Sequence, residues 1–255
     1  MTDRCPIVAA RVVDMAVSSA SAATLVQGLR LAFDEARASS KPLPPEPELA
    51  LKLGVSRSAL REALARLEGE GLIARKSRAG TVVNGAALDI QTWLTRQEPF
   101  IQTLRNLGHD DAIIEVLSLG FRRMTEEESV YFGQPRTCGV VDVRKRWRAG
   151  GIVQMAADYQ VPAPGAQSLN DIPSPGDPVF ALAARLLGSE TSWEVAHARA
   201  DIATAIQAGD LEVEEGSAVF VLDLVGVSSA GVRLYRTIER HVGNTVDYGF
   251  VRTFK

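Results

Sequence analysis

The chain has 255 residues, 46% apolar and 23% charged, a balance that excludes a disordered chain or a disulfide-stapled mini-protein and suffices for one large or two ordinary domains. No apolar run reaches the roughly 18 positions of a membrane span, and PIVAARVVDMAV is broken by Arg11 and Asp14, so no membrane helix or export signal is expected; the distant Cys5 and Cys138 fit a reduced, cytoplasmic setting. The net charge of −3 hides a split, with 12 Lys and Arg against 9 Asp and Glu in residues 1–84 and 16 against 22 in residues 85–255, a basic front before an acidic back.

From Ala22 to Ala38 the apolar residues Leu25, Leu29, Ala32, Phe33 and Ala36 repeat at three and four, which predicts a helix with one buried face. The segment SSKPLPP ends it, because proline lacks a backbone donor and restricts the residue before it. A second helix is expected over Glu46–Leu53, broken by Gly54-Val55-Ser56. Ser56 is suited to cap a third, from Arg57 to about Gly69, with Leu60, Ala63, Leu64 and Leu67 as its core face. LIAR and TVV, separated by KSRAG, then read as a hairpin with Gly80 in its turn.

This order is the layout of a winged helix-turn-helix, whose second helix presents polar and cationic groups to the major groove while its opposite face packs inward. Arg57 and Arg61, four apart, are surface neighbours able to grip guanine or phosphate. Ser56, Ser58 and the first backbone N–H groups suit a phosphate at the helix N-terminus. Arg75, Lys76 and Arg78 surround the wing turn, where Gly80 permits close backbone approach to a duplex. The competing reading is a solvated face in which Arg57, Arg61 and Arg66 pair with Glu62, Glu68 and Glu70. The joint presence of turn, cap, wing and six cations against three anions from Arg57 to Arg78 favours DNA.

Residues 84–98 lack a sustained period, and 85–98 read as a linker with room for one turn of helix, between a domain over 1–84 and another over 99–255. The back half shows one order of signals twice: strand, helix, strand, tight turn, strand. The first pass is IIEVLSLGF, TEEESVYFG, VVDVRKRWR, AGG and IVQMAADY. The second is SWEVAHARA, a helix from about Asp201 to Ala208, AVFVLDLVGV, SSAG and VRLYRTIERHV. This predicts a duplicated unit sharing one antiparallel sheet, with a Pro- and Gly-rich connection and the helix FALAARLLG between the copies, and an α+β fold class overall.

Leu43–Val83 resembles the N-terminal domain of the GntR family of bacterial transcriptional regulators, through LPPEPELALKLGVSR, ALREAL, RLEGEGLI and GTVV. The resemblance implies DNA contacts by Arg57 and Arg61, supported by Ser56, Ser58 and the wing. Pro47 stands where some members have a DNA-contacting arginine, and Ala59 replaces the usual Thr. IATAIQAGDLEVEEGSAVFVLDLV resembles the signature of the UTRA domain of the HutC subfamily, with Ala208, Leu211, Val213, Gly216 and Val219 in place, and AGG followed by VPAP resembles its central hairpin. That likeness implies a chorismate lyase-like antiparallel sheet with helices that binds a small-molecule effector. His109, His197 and His241 lack the spacing of the metal site found in members with all-helical effector domains, so neither metal nor cofactor is expected.

Several contacts of the UTRA family are altered. Its Ser-Phe-Thr becomes Pro99-Phe100-Ile101, its R-x-R aligns with Lys145 and Trp147, and a following glutamate aligns with Ala157. Arg144, Arg146 and Arg148 alternate onto the other side of that strand, either as an exposed face matched to Asp142 and Asp158 or as a platform for an anionic ligand. Arg233, Tyr235, Thr237, Glu239 and His241 share a face that lines a pocket or meets water. The expected effector set is therefore Phe100, Arg144, Lys145, Arg146, Trp147, Tyr235 and Glu239, with the indole favouring a ring-bearing, less polar ligand over a sugar phosphate. The function implied is a cytoplasmic, homodimeric regulator, most simply a repressor, that binds double-stranded DNA at a palindromic operator and answers to an effector. The alternatives are a back half that only dimerises, or a chorismate lyase-like enzyme fused to a DNA-binding module, although no catalytic constellation stands out.

Overall fold

The computed structural model describes residues 20–76, 80–95, 97–243 and 245–254. The stretch around Arg11 and Asp14 and the wing residue Arg78 lie outside them. The chain divides into two compact units, residues 1–96 with 248–255, and residues 97–247.

In the first unit, helix α1 (Ala20–Ser39) buries Leu25, Leu29, Ala32, Phe33 and Ala36, the stripe its spacing predicts. These join Leu49, Leu53, Leu60, Leu64 and Leu67 from α2 (Glu46–Leu53) and α3 (Arg57–Gly69) in one core. Pro47 lies in the first turn of α2, where a missing N–H costs nothing because that turn has no intrahelical acceptor. Gly54, at φ 66°, closes α2 in the left-handed region, and its N–H bonds back to Ala50 and Leu51. The three-residue turn then delivers the chain to the cap of α3. Strands β1 (Ile73–Lys76) and β2 (Gly80–Val83) pair antiparallel, with Ile73 opposite Val83 and Lys76 opposite Gly80.

The linker expected over 85–98 is largely folded into this unit. Asn84 caps the short helix α4 (Gly85–Leu88), its Oδ1 accepting from the Ala87 N–H at 3.3 Å, and Ala87 and Leu88 are buried in the core. Strand β3 (Thr92–Trp93) pairs parallel with β10 (Tyr248–Gly249), so the chain's end belongs here and not to the second domain. Val251 sits against Gly71, where a Cβ would lie 2.6 Å from its Cγ1. A few apolar residues meeting an existing core order a segment that carries no period of its own.

The second unit is a six-stranded antiparallel sheet in the order β4-β5-β6-β9-β8-β7. Its first half is β4 (Ile113–Arg123), α6 (Glu126–Phe132), β5 (Gly139–Ala149) and β6 (Ile152–Ala163). The second is β7 (Trp193–Ile202), α8 (Ala205–Leu211), β8 (Ala218–Val227) and β9 (Arg233–Val242). The halves meet at β6 and β9, and each has the order read from the sequence. Asp201 and Ile202 extend β7, so α8 starts later than expected; the turn after Ile202 is closed by a capping box of Thr204 and Gln207.

Helices α5 (Phe100–Asn106) and α7 (Val179–Leu187) supply Leu104, Val179, Leu182 and Ala183 to a core with Val143, Trp147, Met155 and Tyr159 of one sheet face. Helix α8 packs Ala208 and Leu211 with Ala156, Val219 and Val221 of the other. Gly226 lies opposite Tyr235, whose buried ring fills the space a Cβ would need. Gly226→Ala is therefore expected to displace a fully buried aromatic ring and cost about 1–3 kcal/mol of stability, read as a lower urea midpoint with unchanged slope.

Candidate functional site

In the first unit, Ser56 Oγ accepts from the Ala59 N–H at 3.2 Å and shares a hydrogen bond with Ser58 Oγ at 3.0 Å, fixing the start of α3. With Leu60, Ala63, Leu64 and Leu67 buried, the helix turns Arg57, Ser58 and Arg61 outward. Arg61 is 69% exposed, and its Nε lies 3.2 Å from Glu46 Oε2 at the start of α2. Arg75 of β1 is 3.7 Å from the other oxygen of the same carboxylate and 3.5 Å from Glu68, which also accepts its backbone N–H at 3.1 Å. The wing cation and the helix cation are thus brought together around Glu46. Lys76 is exposed, and Gly80 has φ 77°, a conformation a side chain disfavours.

Part of the competing surface reading is realised, since Arg66 pairs with Glu70 at 3.4 Å, but Arg61 turns to α2 instead of along its own helix. Glu46 was not singled out from sequence, because its reach to Arg61 crosses the turn and follows no helical spacing. An exposed ion pair contributes only about 0–1 kcal/mol, so these contacts orient the guanidiniums while leaving them exchangeable for phosphate or base oxygens. Glu46→Gln is expected to tighten DNA binding severalfold and steepen its salt dependence, as measured by anisotropy titrations at two salt concentrations.

In the second unit the seven expected ligand residues divide between the two sheet faces. Lys145, Trp147, Tyr235 and Glu239 lie on the face covered by α5 and α7, together with Phe100 of α5, whose ring stands edge-on to Trp147 and to His241 at centroid distances of 6.2 and 5.1 Å. Arg144 and Arg146 lie on the other face. There Arg144 pairs with Asp158 at 2.9 Å and Asp210 at 3.4 Å, while Arg146 pairs with Glu115 and, at 2.9 Å, with Glu212. The arginine row is therefore matched by carboxylates of β4, β6 and the α8 region, which favours the first of its two readings, a charge-matched face, over an anion platform. Arg233 also leaves the Tyr235 group: beyond the register shift at Gly226/Val227 its guanidinium donates to the Tyr131 carbonyl at 2.8 Å.

Lys145 is 0% exposed, its ammonium donating to the Asp177 carbonyl and lying 4.6 Å from the centroid of the Tyr159 ring. Burial pulls its pKa down to about 7. Trp147 is likewise buried, a packing residue and not an open wall. The Tyr235 hydroxyl donates to Glu194 Oε1 at 2.7 Å; burial first, then the charge of Glu194, raise the tyrosine pKa. Burial also raises Glu194, the Tyr235 hydrogen bond opposes this, and the charge of Glu239 adds to the rise. His241 Nε2 is 3.5 Å from Glu239 Oε2. Glu194 and Tyr159 were missed in the sequence because they reach this face only through the registers Glu194–Gly226–Tyr235 and Tyr159–Thr237.

Residues 37–83 match the family model of bacterial regulatory proteins, gntR family. An uncharacterized HTH-type transcriptional regulator of Mycobacterium tuberculosis is 39% identical over 77 residues, 30% of this chain and 29% of that protein. The chain thus spans 25–29% of the length of the curated relatives it matches. Among solved structures, PhnF from Mycobacterium smegmatis is similar with a TM-score of 0.56 and 19% identity, covering 88% of this chain and 100% of that one. The possible transcriptional regulator YydK from Bacillus subtilis reaches 0.68 with 13% identity, covering 90% and 99%. Residues 37–83 are a GntR-family helix-turn-helix domain, in a chain whose α+β fold, with an antiparallel sheet and helices toward the C-terminus, is that of these two structures.

Proposed function

We propose that this chain is a cytoplasmic, non-catalytic transcriptional regulator of the HutC type, whose α3 enters the major groove with Ser56, Arg57, Ser58 and Arg61, flanked by the wing residues Arg75, Lys76, Arg78 and Gly80. The supporting observation is the outward set of Arg57, Ser58 and Arg61 on a capped helix, with Arg75 drawn beside it through Glu46. A single winged helix reads too few base pairs for genomic selectivity, so the active species is a homodimer on a palindromic operator. Its second unit is a UTRA domain that dimerises and takes a small-molecule effector on the face bearing Phe100, Lys145, Trp147, Tyr235 and Glu239. The effector acts by favouring one arrangement of the paired DNA-binding domains, and in its absence the dimer represses. Among the described residues no helix is long and apolar enough to cross a membrane.

Sedimentation of the full chain, free and with duplex DNA selected from random sequence, tests this reading. The expected result is twice the chain mass at tens of micromolar and two chains per duplex. A monomer under both conditions would contradict it.

A further inference from the structure

We propose that the ligand accepted by this sheet face is a cation, an ammonium or amidinium group on an otherwise uncharged body, with Glu194 and Glu239 as its counter-charges and Thr237 Oγ1 as a hydrogen-bond partner. The inference rests on the effector reading above and names the ligand class.

Three strands build the arrangement. Glu194 on β7 lies opposite Gly226 on β8, and Gly226 lies opposite Tyr235 on β9. The glycine lets the Tyr235 ring lie across β8, and its hydroxyl reaches Glu194. Thr237 and Glu239 follow Tyr235 at the two-residue period of one face, and Tyr159 of β6 lies opposite Thr237. The charges of Glu194 and Glu239 both act on Tyr159 and Tyr235, and the charge of Glu239 acts on Glu194.

Among the described residues Glu194 makes no ion pair, and its hydrogen bond comes from the uncharged Tyr235 hydroxyl. Lys145, on the same face, sends its ammonium to the Asp177 carbonyl. His241 stands beside Glu239 and is a cation only when protonated. Two partly buried carboxylates on one sheet face favour a bound positive charge and oppose a phosphate or carboxylate.

A second observation is independent of charge. Thr237 is 1% exposed, and its Oγ1 has no hydrogen-bond partner in the structure. A buried hydroxyl without a partner carries a penalty that a ligand relieves, and this one sits between Tyr235 and Glu239, opposite Tyr159. A hydroxyl can accept from an ammonium or amidinium N–H, so cation and hydroxyl are complementary.

The test is a thermal-shift screen of the full-length protein with amines, each matched to an alcohol and a carboxylate of the same body. One set is tyramine, tyrosol and 3-(4-hydroxyphenyl)propionate; glucosamine 6-phosphate is included. Shifts should come from amines, exceed those of their alcohols and be absent for the acids and the phosphate. Glu239→Gln and Glu194→Gln, each checked for an unchanged ligand-free melt, should weaken the responding amine at least tenfold. Either variant alone is sufficient if the other does not fold. A response to carboxylates or phosphates alone, or an amine response unaltered by the Gln substitutions, would overturn the cation assignment and leave the effector reading standing. No response to any compound would overturn both.

Discussion

Arg61→Ala is expected to abolish the distinction between operator and scrambled DNA while leaving the melting temperature of the protein almost unchanged. The side chain is 69% exposed and touches the fold through Glu46, an exposed pair worth about 0–1 kcal/mol. A bidentate contact to a base is worth roughly 1–3 kcal/mol, and a dimer loses it in both half-sites. The expected cost is therefore about 2–6 kcal/mol, which is roughly 30-fold to more than 10⁴-fold in affinity. Anisotropy titration of both duplexes at equal salt measures it, and wild-type affinity in the variant would refute the assignment of α3 as the reading helix. Lys76→Ala, at the exposed end of β1, should instead weaken both duplexes alike and lower the slope of affinity against salt by about one per half-site.

Lys145→Met is expected to stabilise the second unit by about 2–4 kcal/mol at pH 7. The ammonium is buried, and burial depresses its pKa from 10.5 to about 7. Each unit of such a shift corresponds to about 1.4 kcal/mol. Part of this is offset because the Asp177 carbonyl loses a donor, at about 1–3 kcal/mol. The pH dependence has a definite sign. The folded chain holds this proton less tightly than the unfolded one, so unfolding takes up a proton between about pH 7 and 10.5. The lysine's contribution to stability accordingly rises with pH through that window and is lost as pH falls to 7. Urea melts of wild type and Lys145→Met at pH 7 and pH 9 should show the gain from the substitution shrinking at the higher pH. A gain that grows with pH would contradict the burial account.

The helices of the first unit were legible because each carries its own period: Leu25 to Ala36 and Leu60 to Leu67 face one core, and Ser56 and Gly54 mark the boundaries chemically. The twofold strand order of the second unit was legible for the same local reason. What escaped was long-range. The strand at Thr92–Trp93 exists because Tyr248 and Gly249 return to pair with it, and two residues on each side leave no pattern to read. At the candidate ligand face, alternation along one strand correctly grouped Tyr235, Thr237 and Glu239, whereas Glu194 needed the register of three strands. Alternation also separated Lys145 from Arg144 and Arg146, but the burial of Lys145 and the pairing of the two arginines depend on α7 and α8, which the strand sequence does not encode. In the first unit, Glu46 became visible only when the turn brought α2 against α3.

The most direct test of the DNA-binding claim is a nuclease footprint of the purified protein on the DNA upstream of its own gene. The expected result is two protected half-sites related by two-fold symmetry, their centres about 10–10.5 base pairs or a multiple of that apart, with protection lost in an Arg57→Ala, Arg61→Ala double variant that melts as wild type. Discrete protection that survives in that variant, or binding that protects no sequence above another, would contradict the account.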